Sequence, residues 1–180
     1  MTLIAGFFAY KAVISQIAAQ REEAERQYLL DKAEHIEKIL DAFTSLAGAL
    51  LATINNPSAA QGNFLCLESM RKKFIDFQNS FDAPMKGFVN SVEYTVRNIL
   101  WAAEVAVENA QNVLGEQIKS CTLPGMPIPN TIPLDASKII IAEFVKAHNA
   151  LNTAVNYLDV YRSEKTQRRP PPHIRARAKA

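Results

Sequence analysis

The sequence predicts an all-α protein: a long N-terminal helix joined to an antiparallel three- or four-helix bundle, followed by a disordered basic tail. Three observations predict it. Glycine is scarce, six in 180 residues, while Ala, Gln, Glu, Leu and Lys fill the long segments, a helix-favouring bias. Apolar residues recur at three- and four-residue steps through four long segments. The breakers fall between those segments rather than inside them. A hydrophobic fraction of 48% and a charged fraction of 21% belong to a folded chain, which excludes wholesale disorder.

The first element begins with Thr2 to Tyr10 (TLIAGFFAY), nine residues without a charge, followed by Lys11 and then AVISQIAA. A spanning helix needs about 20 apolar residues. This stretch reaches that length only by carrying Lys11 near its centre, where a lysine costs about 2.5 to 3.5 kcal/mol. Residues 1–20 are therefore expected to be a membrane-anchor segment in one of two forms. Either Lys11 snorkels from a weak anchor, or Thr2 to Tyr10 is the inner half of a span that starts upstream of Met1. In the second form Tyr10 and Lys11 are the membrane-interface pair, an aromatic belt residue beside a basic one. A buried core helix in a soluble protein is the third reading. A cleaved signal peptide is disfavoured, since no basic residue precedes the apolar run and no small-residue cleavage site follows it.

From Gln20 the helix continues unbroken, with Glu22–Arg26 and Glu34–Lys38 in the favourable i,i+4 order. Leu29, Ile36, Leu40, Phe43, Ala47, Leu50 and Ile54 form an apolar stripe, and Asn55-Asn56-Pro57 stops it. One helix over residues 2 to 55 would be roughly 80 Å long, suiting an anchor that becomes a stalk and then joins a bundle. The segment FFAYKAVISQIAAQREEAERQ, residues 7 to 27, resembles the juxtamembrane helix of many uncharacterised proteobacterial membrane proteins. That resemblance covers about a ninth of the chain and implies only a membrane anchor facing the cytoplasm.

Ser58 to Asn63 is a connector. Leu67, Met70, Phe74, Phe77 and Phe81 follow at strict three-four spacing, an aromatic seam that belongs to a core. Asp82-Ala83-Pro84 is a restart signal, a capping acid before a first-turn proline. The next helix carries Phe88, Val92, Val96, Ile99, Ala103, Ala106, Ala110, Val113 and Gln117 on a 3.5-residue period, with Tyr94 and Trp101 beside the stripe. Its alanines would let a neighbouring helix approach closely. Cys121 to Leu134 holds four prolines and reads as an extended crossing loop. Asp135 or Ser137 caps the last helix. Its inner face is Ile140, Phe144, Ala147, Leu151, Ala154 or Val155, Leu158 and Tyr161, and it ends near Arg162. The bundle thus spans 21–162, with helices at about 21–55, 63–81, 85–119 and 136–162, and 163–180 is the tail.

The chemistry-bearing residues form no recognisable site. The residues three before His35, His148 and His173 are Lys32, Val145 and Pro170, so the Glu-x-x-His pairs of a di-iron bundle are missing. No Gly-x-Ser-x-Gly, Walker A or Gly-x-Gly-x-x-Gly sequence occurs. Glu104 and Glu108 read as a solvated face. Cys66 and Cys121 fit no zinc spacing; up-down helix order would put them at the same bundle end, where a disulfide is not geometrically excluded. The expectation is a protein that is not an enzyme and binds no cofactor or metal.

Charge is uneven. Residues 162–180 hold seven Lys/Arg against Glu164 alone, whereas residues 1–161 hold 13 basic against 17 acidic residues. Arg168, Arg169, Arg175, Arg177 and Lys179 are the candidate contacts to an anionic lipid surface. The tail has no aromatic residue for base stacking, which disfavours nucleic acid. The sequence thus points to a membrane-anchored helical protein of structural or interaction type in the bacterial inner membrane. Its bulk would face the cytoplasm, and the stalk would be the self-association element. The competing readings are a soluble accessory bundle of phage or mobile-element type and an outward-facing sensor bundle.

Overall fold

A computed structural model describes the backbone at residues 2–80, 87, 89, 92–122 and 129–166, and side chains from Val13 to Ser163 within those ranges. Among the described residues are five helices: α1 (Thr2–Ile54), α2 (Pro57–Ala60), α3 (Phe64–Ser80), α4 (Tyr94–Cys121) and α5 (Leu134–Thr166). The chain divides into two compact units, residues 1–35 with 168–180, and residues 36–167.

The second unit is a four-helix bundle made from residues 36–54 of α1 together with α3, α4 and α5. Each helix contributes one apolar stripe. On α1 the buried residues are Ile36, Ile39, Leu40, Phe43, Leu46, Ala47 and Leu50. On α3 they are Phe64, Leu67, Met70, Phe74 and Phe77. On α5 they begin at Ala136 and Ser137 and recur from Ile140 through Phe144, Ala147, Leu151, Ala154, Leu158 to Tyr161. Three ring and amide contacts set the directions. Phe74 meets Phe144 edge-on, with centroids 5.8 Å apart, each ten residues into its helix, so α3 and α5 start at the same end. Phe43 packs on Phe77 at 5.6 Å. Gln111 Nε2 of α4 donates to Gln78 Oε1 near the end of α3 at 3.4 Å, and Asn63, just before α3, bridges Thr131, just before α5, so α3 and α5 begin side by side. The fully buried Ala103 and Ala110 of α4 and Ala147 and Ala154 of α5 let those two backbones approach within 8 Å at many Cα pairs.

Several details differ from the sequence expectation. The connector after α1 contains a helical turn of its own. Asn56 Oδ1 accepts from the Ser58 amide at 2.9 Å and Pro57 sits at the first helical position, so the residues that stop α1 also start α2. Gly87 and Val89 are helical but Val92 and Glu93 are not, so the helix expected over 85–119 is interrupted there and α4 runs from Tyr94 to Cys121. Its buried stripe is Val96, Leu100, Ala103, Val107, Ala110, Leu114 and Ile118, while Ile99, Ala106 and Val113 flank it half-buried. Both rows are apolar, and the larger Leu100, Val107 and Leu114 bury more surface than the row chosen from periodicity alone. Tyr94 and Trp101 point to solvent rather than flanking the core. Leu29 is also exposed, so the buried stripe of α1 starts at Ile36. Phe81, Asp82-Ala83-Pro84, the central prolines of the crossing loop and the tail from 167 onward lie outside the described residues.

The last helix starts at Leu134, directly after Pro133, so neither Asp135 nor Ser137 is its cap. Asp135 forms an exposed ion pair with Lys138 at 3.7 Å. Ser137 is fully buried, and its hydroxyl donates to Ala59 O at 2.7 Å and faces Ala60 O at 3.3 Å. Ala59 O also accepts from Gly62 N at 2.9 Å, so the hydroxyl is a second donor that ties the start of α5 to the end of α2. Ser137→Ala removes this buried hydrogen bond while Ala59 O keeps its Gly62 donor, and is expected to cost about 0.5 to 1.5 kcal/mol in urea unfolding.

The first unit contains residues 2–35 of α1, helical throughout. Local polar contacts run along it: Arg26 to Glu23 at 4.0 Å, Gln27 Nε2 to Asp31 Oδ1 at 2.9 Å and His35 Nδ1 to Asp31 O at 2.6 Å. No helix among the described residues is long and apolar enough to cross a membrane.

Candidate functional site

The residues singled out for chemistry are held by structural contacts. His148 Nδ1 lies 3.0 Å from Ala47 O on α1, and Asn152 Nδ2 lies 2.8 Å from His148 Nε2. The tautomer with hydrogen on Nδ1 satisfies both contacts, so this imidazole ties α5 to α1 with both nitrogens engaged. His35 bonds its own helix. Among the described residues no group of three or more His, Cys, Asp and Glu could hold a metal ion.

Cys66 and Cys121 are free, half-buried thiols, Cys66 in the first turn of α3 and Cys121 the last residue of α4. Asn56 Nδ2 donates to Cys66 Sγ at 3.4 Å. Burial pushes the Cys66 thiol up from its ordinary value, because the thiolate loses hydration there. At about pH 8 Cys66 is therefore expected to alkylate with iodoacetamide several-fold more slowly than free cysteine, the difference closing as pH rises; peptide mass mapping reads the rate.

An open groove of about 500 Å³ runs between α1 and α3. The two antiparallel helices line it with the same spaced set: Lys38, Asp41 and Ser45 on α1, Lys73, Asp76 and Ser80 on α3, over a floor of Ala42, Leu46 and Phe77. The repeat KILDAFTS and KFIDFQNS explains the symmetry. Both ammonium groups and both carboxylates are exposed, so water screens them, and the groove offers no sequestered nucleophile or base.

Exposed apolar side chains gather most densely in two places. On α4, Arg97 lies 5.5 Å over the Tyr94 ring, one turn before the exposed Trp101. On the N-terminal part of α1, Val13, Ile14, Ile17, Tyr28, Leu29 and Leu30 are all 40 to 62% exposed. The second set is larger and belongs to a unit whose described part is a single helix. Isolated helices are marginal in water, and most helical stability comes from packing an apolar face. The exposed Arg26–Glu23 pair adds only tenths of a kcal/mol. This stripe was not legible as a site from the sequence, where residues 13–19 read as the continuation of an apolar span.

Of the predicted site residues, Tyr10 and Lys11 lie on helical backbone, and their side chains fall outside the described ones. Arg168, Arg169, Arg175, Arg177 and Lys179 lie outside the described residues altogether. No protein-family model, no curated protein and no solved structure matches this chain.

Proposed function

We propose that this chain is a helical protein of interaction type in which the first 30 residues of α1 are the docking element and the bundle is a self-sufficient folded base. One observation carries the reading: residues 36–161 bury a closed core, while Val13, Ile14, Ile17, Tyr28, Leu29 and Leu30 stay exposed on a helix. Two groups of exposed large apolar side chains on one helix mark a surface that associates. The test is the double substitution Ile14→Asp with Ile17→Asp in the full chain. The expected result is loss of association, whether with protein or with lipid, at unchanged thermal midpoint of the bundle. A wild-type chain that neither self-associates nor floats with vesicles contradicts the reading.

Membrane anchoring at the bacterial inner membrane, with the bulk of the chain in the cytoplasm, is the second reading. It is favoured by the uncharged run Thr2 to Tyr10, which leads into the exposed Val13, Ile14 and Ile17. Such a segment would lie in the interface rather than cross the bilayer, with its apolar face among the acyl chains. The basic residues Arg168, Arg169, Arg175, Arg177 and Lys179 would add about 1 kcal/mol each near an anionic surface. Vesicle flotation with and without an anionic lipid separates this form: flotation that needs the anionic lipid supports it, and recovery at the bottom of the gradient contradicts it.

A further inference from the structure

We draw no further inference here: the strongest candidate, the open groove lined by Lys38, Asp41 and Ser45 of α1 and Lys73, Asp76 and Ser80 of α3, carries only water-exposed charges of both signs, and nothing in the structure shows what covers it.

Discussion

Phe144→Ala is expected to lower the unfolding free energy of the bundle by about 3 to 5 kcal/mol, the range for deleting a buried phenyl ring. Phe144 has no solvent exposure and lies in the middle layer of the core, edge-on to Phe74 at 5.8 Å. Its removal loses the transfer energy of the ring, leaves a cavity between α3 and α5, and ends the edge-to-face contact, which is itself worth about 0.5 to 1.5 kcal/mol. A domain of this size is stable by only about 5 to 15 kcal/mol, so the variant should approach its unfolding threshold near physiological temperature. Val145 on the same helix is 39% exposed, and Val145→Ala should change stability by less than about 0.5 kcal/mol. Urea denaturation followed by circular dichroism checks both. A Phe144→Ala cost no larger than that of Val145→Ala would contradict the bundle packing.

Gly62→Ala is the second large effect, at about 2 to 4 kcal/mol. Gly62 follows α2 with φ of +79°, a conformation in which an L side chain costs about 1 to 2 kcal/mol. A Cβ there would also lie 2.5 Å from Ile132 O. That carbonyl cannot withdraw cheaply. Ile132 N donates to Gly62 O at 2.8 Å, Phe64 N donates to Asn130 O at 3.0 Å, and Asn63 bridges Thr131. These bonds pin the end of the proline-rich crossing to the start of α3, and the Ser137–Ala59 bond lies just beyond. Gly48 is the control. It lies mid-helix on α1, and a methyl group placed there would meet nothing within 4 Å, so Gly48→Ala should stabilise by about 0.5 to 1 kcal/mol. Thermal midpoints moving in opposite directions for the two variants check the assignment.

The long elements were legible because single residue types decide them. Asn55-Asn56-Pro57 ends α1 where the helix ends, at Ile54. The α3 seam from Leu67 to Phe77 and the α5 face from Ile140 to Tyr161 are each one narrow apolar row, so periodicity alone fixes their orientation. On α4 two adjacent rows are apolar, and only the neighbouring helices choose between them. The contacts around Gly62 were not legible, because a left-handed glycine looks like any other loop glycine until its partner segment is placed. The same holds for Ser137 and His148, whose partners lie 78 and 101 positions away. The exposed apolar residues of 13–30 were hidden for a different reason: Val13, Ile14 and Ile17 read in the sequence as the continuation of an apolar span.

Residues 36–161 carry their own cover, and residues 13–30 do not. Amide hydrogen exchange of the full chain, read by peptide mass at low and high protein concentration without lipid, tests this division most directly. The helices of the bundle should exchange slowly at both concentrations, with the peptide around Phe144 among the slowest. The peptides covering residues 13–30 should exchange freely when dilute and gain protection as concentration rises. Protection of residues 13–30 equal to that of the Phe144 peptide in the dilute sample would contradict it.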